Sequence, residues 1–118
     1  LFDDFTGVVV ETDEGERIAN ALGDKKAAIF KNHGLVTTGE TVDAALWAFL
    51  SMDRCCQSQL IAESAGQMER ITDEVAELTK SQVGSEFAMW ASFQPIYDLM
   101  LEKDDSFLNY SSFSTSYF

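Results

Sequence analysis

Histidine, proline and cysteine are scarce in this sequence, and negative charge far outweighs positive. The 118 residues hold one His, one Pro and two Cys, with 8 Lys+Arg against 20 Asp+Glu for a formal net charge of −12. Each shortage narrows the function. Any chemistry that needs an imidazole base or ligand rests on His33. The cysteines, Cys55 and Cys56, are adjacent in a segment of helical periodicity, where neighbouring side chains point apart. They make neither a disulfide framework nor a zinc knuckle, and reduced thiols in a cytoplasmic protein are the simplest reading. The acid excess repels phosphate backbones and argues against a nucleic-acid partner, which would call for clustered Lys and Arg. No run approaches the ~20 apolar residues of a spanning helix, and no basic segment followed by an apolar one opens the chain, so neither a membrane nor secretion is indicated. The first residue is Leu1, not Met, which reads as a piece of something longer.

What is present is a globular composition, 46% hydrophobic and 12% aromatic. A chain of this length can bury roughly two-thirds of its unfolded surface in one domain. Asp3, Asp4, Glu11, Asp13, Glu14 and Glu16 all precede the first basic residue, Arg17, and mark an acidic N-terminal edge. Within it Phe5 to Val10 is short and β-branched, which predicts a strand. Thr12 is placed to cap a short surface helix carrying Ile18 and Leu22 and stopped by Gly23. Ala27-Ala28-Ile29-Phe30 and Leu35-Val36-Thr37 predict two strands around a bend at Lys31 to Gly34, with Gly39 in the following turn. The longest helical signal opens at Thr41 and runs through Val42, Ala45, Leu46, Phe49, Cys56 and Leu60 to Gly66. Asp53 and Arg54 cross its apolar stripe, as an ion pair or on an exposed neighbouring face. Thr72 and Ser85 are placed to cap two further helices. The first ends at Gly84, and the second carries Phe87, Trp90, Phe93, Tyr97 and Met100 with Pro95 expected to kink or split it. Residues 1–105 read as one unit. Residues 106–118 form an uncharged tail where Ser alternates with Phe107, Tyr110, Phe113, Tyr117 and Phe118, suited to docking on a partner surface or to disorder.

His33 lies between Asn32 and the permissive Gly34 at the bend joining two apolar strands. Strand-end rims are where sites on α/β scaffolds are usually found. A histidine that only hydrogen-bonds its own turn fits the same spacing. Free cysteine and aromatics at helical spacing are usually core, so Cys55, Cys56, Trp47 and Trp90 are expected to pack inward. No GxGxxG or Walker pattern supports a nucleotide site.

The run Ala27 to Gly39, AAIFKNHGLVTTG, followed by Thr41-Val42-Asp43 with Trp47 and by Asp53-Arg54-Cys55-Cys56-Gln57 ahead of Leu60, resembles the C-terminal half of the class II aldolase/adducin family. Phe5 to Gly23 upstream, and Gln82-Val83-Gly84 with Phe93 to Asp98 downstream, extend the likeness over about residues 5–100. The resemblance implies an α/β fold, here a partial three-layer α/β/α sandwich. It also implies a divalent metal, zinc above all, that stabilises an enediolate during aldol cleavage or epimerisation of a small hydroxy-carbonyl or sugar substrate. His33 would be the last metal ligand. The family's His-x-His pair and acidic base have no counterpart here, and a catalytic zinc ordinarily takes three protein ligands. The chain by itself is therefore expected to lack lyase activity and to hold no metal alone. Asp3 and Asp4 are the substitutes at hand, though solvated charge is their simpler reading. Tyr97, Tyr110 and Tyr117 cannot be matched to the family's C-terminal tyrosine proton donor. The resemblance further implies a homo-oligomer, and adducin-type members are not enzymes, so a non-catalytic protein-interaction or oligomerisation module is the competing reading.

Overall fold

The computed structural model describes residues 1–3 and 12–108. The strand expected at Phe5 to Val10, Asp4, and the aromatic tail beyond residue 108 lie outside the described residues. The element order is α1 (Thr12–Leu22), β1 (Ala27–Phe30), β2 (Gly34–Thr37), α2 (Val42–Ala65), α3 (Asp73–Val83) and α4 (Glu86–Lys103), then a 3-10 turn at Ser106–Leu108. The described chain is thus mostly helical with a small two-stranded sheet, a partial α/β fold.

Local chemistry explains the boundaries. Each of the last three helices starts on a hydroxyl that accepts an otherwise orphaned amide: Thr41 from Ala44 at 3.1 Å, Thr72 from Val75 at 3.4 Å, and Ser85 from Ala88 at 3.1 Å. Helix α1 begins at Thr12 itself and ends at Gly23, whose φ of 56° is the left-handed stop that glycine supplies. Pro95 does not split α4, which runs unbroken from Glu86 to Lys103. The packing of α4 on α2, with Met89 and Phe93 buried, outweighs the one amide that proline removes.

The strands β1 and β2 pair antiparallel, from Ala27 opposite Thr37 to Phe30 opposite Gly34. On the other side of β1, Phe2 makes a parallel bridge to Phe30: its amide donates to the Ile29 carbonyl at 2.8 Å and its carbonyl accepts from the Lys31 amide at 2.9 Å. Helix α2 covers the hairpin and α4 packs along α2. The chain turns tightly from β2 into α2. A side chain at Gly39 would put its Cβ 2.7 Å from the Ala45 nitrogen, so only glycine allows this approach. Thr37 locks the same corner by donating its hydroxyl to the Ala45 carbonyl at 2.8 Å.

Among the described residues the buried apolar side chains are Phe2, Phe30, Ala44, Met89 and Phe93. This core is smaller than the composition predicts, and several helical aromatics expected inside are not. Trp90 is 39% exposed and Phe87 74%. Cys55 is exposed and Cys56 half-buried, against the inward packing expected of them. Asp53 and Arg54 do not pair with each other: half-buried Asp53 accepts from the Gln57 side-chain amide at 2.7 Å, and Arg54 is exposed. Glu14, read as part of an acidic surface, is instead buried.

Candidate functional site

The turn that carries His33 is built from its own residues. The Phe30 carbonyl accepts the His33 amide at 3.1 Å, closing a four-residue turn. Asn32, third in that turn, has φ of 58°. A positive φ at this position favours Gly or Asn, because the short amide side chain tolerates the left-handed region. Asn32 thus sets the turn, and Gly34 opens β2 beyond it. The imidazole of His33 stacks on the Phe30 ring with centroids 6.2 Å apart and planes 23° apart. Phe30 in turn meets Phe2 at 5.2 Å. A buried aromatic pair therefore backs an exposed imidazole and restricts its swing at the tip of the hairpin.

The base of the hairpin is held from the far end of the sequence. Glu86, first residue of α4, takes an ion pair and hydrogen bond from the Lys26 ammonium through Oε1 and accepts the Glu40 amide at 2.9 Å through Oε2. The Lys26 hydrogen bond, and then that backbone amide, hold the Glu86 carboxyl below its ordinary value of 4.5. One carboxylate thus fastens the segment before β1, the entry to α2 and the start of α4. Sequence reading placed no role on Glu86. Its partner lies 60 residues away, and the sole local signal was an acid in a helix first turn.

Beside this anchor, Glu40, Thr41, Glu86, Phe87 and Trp90 line an open groove of about 340 Å³. A second groove of about 540 Å³ lies between Lys25, Lys26 and Lys80. The lysine-lined groove carries little free positive charge, since Lys26 is bound to Glu86 and Lys80 pairs with Glu77 at 3.4 Å.

His33, the expected metal ligand, stands at the hairpin tip, and among the described residues no companion ligands gather around it. Among the described residues no three His, Cys, Asp or Glu side chains come together as a metal-binding group. Asp3 is exposed and joins no such group. A lone imidazole does not fit the three-ligand demand of a catalytic divalent ion. Tyr97 packs its ring edge against Phe107 at 6.1 Å, while Tyr110 and Tyr117 lie outside the described residues. No described helix is long and apolar enough to cross a membrane.

Comparison with known proteins adds three findings. The family model for the class II aldolase and adducin N-terminal domain matches residues 2–60, which include the whole hairpin and most of α2. Decarboxylase NovR from Streptomyces niveus is 52% identical over 104 residues, covering 88% of this chain and 38% of that protein. The 4-hydroxy-3-prenylphenylpyruvate oxygenase/4-hydroxy-3-prenylbenzoate synthase of Streptomyces roseochromogenus is 50% identical over the same share of each. The chain thus spans 38% of the length of these two relatives. Among solved structures, L-fuculose 1-phosphate aldolase from Glaciozyma antarctica superposes with a TM-score of 0.72 at 38% identity, over 75% of this chain and 35% of that one.

Proposed function

The chain belongs to the class II aldolase and adducin family, and from that premise we propose that it is the hairpin-and-helix portion of an enzyme that cleaves a carbon–carbon bond beside a carbonyl group in a small molecule. The names of its relatives support this reading: a decarboxylase, an oxygenase of a phenylpyruvate that is also a benzoate synthase, and a sugar-phosphate aldolase. The observation that carries the reading is the presentation of His33, exposed at a strand end and steadied against Phe30. In this reading His33 is one ligand of a divalent metal, zinc being our first choice, whose remaining ligands lie outside the described residues. A bound metal would supply Lewis-acid stabilisation of negative charge on the substrate oxygen. The residues described here supply the rigid turn. Asn32 fixes its backbone, Phe30 limits the imidazole, and the Lys26–Glu86 link holds the hairpin base.

The parallel bridge of Phe2 to Phe30 supports a sheet wider than the hairpin, and with α2 on one face it fits a three-layer α/β/α sandwich in the complete domain. The free thiols of Cys55 and Cys56 suit a cytoplasmic setting.

The test is metal content per chain after dialysis of the complete enzyme proposed here, as wild type and as His33→Ala. His33→Ala should lose the metal that the wild type retains, while the far-UV spectrum stays unchanged because the imidazole is exposed. Equal metal in both forms of the complete enzyme, or none in either, overturns the ligand assignment.

One observation favours a second reading. The family includes adducin, and the described chain leaves a broad apolar surface on its helices, as a protein-interaction module would.

A further inference from the structure

Phe87, Trp90, Gln94, Tyr97 and Leu101 recur along α4 at alternating spacings of three and four, and so share one face of the helix. The two ends of that face differ. Tyr97 and Leu101 are half-buried, whereas Trp90 is 39% exposed and Phe87 is bare. Tyr97 is covered by the chain itself on its way back. Helix α4 ends at Lys103, six residues past Tyr97, yet Phe107 sets its ring against Tyr97 with centroids 6.1 Å apart. Asp104 builds the reversal: its carboxylate accepts the Ser106 amide at 2.8 Å, an Asx turn, and the Asp105 carbonyl then accepts the Leu108 amide at 3.0 Å. By Phe107 the chain has therefore moved about 9 Å back along the helix, toward Trp90.

We infer that residues 109–118, which lie outside the described residues, continue this return along α4 and cover Trp90. They would occupy the open groove of about 340 Å³ that Trp90 shares with Glu40, Thr41, Glu86 and Phe87. Reach allows it. Trp90 is about 10 Å along the helix from Tyr97, and the ten residues span about 33 Å extended or about 15 Å as a helix. Composition fits the groove as well. The segment carries no charge, so it brings no carboxylate up to Glu40 and Glu86. Its Ser and Thr hydroxyls are donors for the Glu40 carboxylate, and Tyr110, Phe113, Tyr117 and Phe118 offer rings to the indole. Tethering favours this segment over a free partner: held at Phe107, it faces the groove at a local concentration on the order of millimolar. Because Glu86 also binds Lys26 and the Glu40 amide, the segment would lie over the link that fastens the hairpin base. The inference is independent of the His33 reading, since it uses no property of the imidazole.

The test uses the complete protein that carries this chain, with the photoreactive benzoylphenylalanine in place of Phe113. On irradiation, peptide mapping should place its cross-links on α4 of the same chain, around Trp90. Cross-links that miss α4, that join two molecules, or that fail to form overturn the inference. A second measurement reads Trp90 directly by hydroxyl-radical oxidation and mass spectrometry. Replacing Tyr110, Phe113, Tyr117 and Phe118 together by Ser should raise Trp90 oxidation several-fold, while the half-buried Trp47 of α2 keeps its rate and reports that the fold is intact. Trp90 oxidation that stays unchanged overturns the inference. Where Trp47 rises too, the fold has been lost in that variant and the cross-link map alone decides.

Discussion

The corner where the hairpin meets the starts of α2 and α4 and the arm from Gln57 to Val83 have equally good helix caps and very different surroundings. In the corner, Thr41 caps a helix whose next turn buries Ala44, Thr37 and Gly39 lock the approach, and Glu86 ties three segments together. In the arm, Thr72 caps a helix that touches little else of its own chain. Cap chemistry decides where a helix starts. Burial of one face decides whether that helix contributes to the stability of the whole.

The same contrast of covered and bare side chains recurs inside α4. Phe93 is 3% exposed and Phe87 74%. Phe93→Ala should remove about 3–5 kcal/mol through lost burial and the cavity left behind, a large share of the 5–15 kcal/mol typical of a domain. Phe87→Ala should stay within about 0.5 kcal/mol. Urea midpoints of the two variants check this. If both shift alike, Phe87 is covered in solution and the corner extends further than the single chain shows.

That pair also marks how far the sequence could be read. The hairpin, its turn at His33, and all four helices with the stops of the first three were legible because each rests on local signals: Asn32 and Gly34 at the bend, hydroxyls at the helix starts, glycines at the first three ends. The Lys26–Glu86 anchor was not legible, because nothing within a few residues of Glu86 points to a lysine 60 positions earlier. Burial was misjudged for a related reason. Periodicity shows that a helix has an apolar face, but not whether the chain holds anything to cover it. Phe93 and Phe87 have the same chemistry and lie in one helix, and only tertiary structure separates them. Cys55 and Trp90, expected inside, fail for the same reason. Of the candidate site, the place of His33 at a strand-end turn was legible from Asn32 and Gly34 beside it.

The Glu86 anchor gives the corner an acid dependence that the arm should lack. Its carboxyl is held below 4.5 by Lys26 and the Glu40 amide. A depressed folded-state pKa means that the stabilisation is fully present above the unfolded value and disappears as pH falls through the lowered one. Wild type and Glu86→Gln should therefore differ in urea midpoint at neutral pH and converge only as pH falls through the lowered folded-state pKa of Glu86. Parallel curves at all pH values would show that the ion pair contributes nothing to the fold.

The finest discrimination comes from making the same small cut in both regions. Thr41 and Thr72 each accept one amide at a helix start, and replacing such a cap by alanine typically costs about 1 kcal/mol. In the corner that cost must appear in global stability, since α2 cannot fray at Thr41 without exposing Ala44 and releasing the Ala45 backbone from Thr37. In the arm α3 can fray alone, so under conditions where the chain is monomeric Thr72→Ala should leave the urea midpoint unchanged and speed amide exchange only over residues 73–83. A Thr72→Ala midpoint lowered as far as that of Thr41→Ala would show that α3 is held to the rest of the fold as firmly as the start of α2.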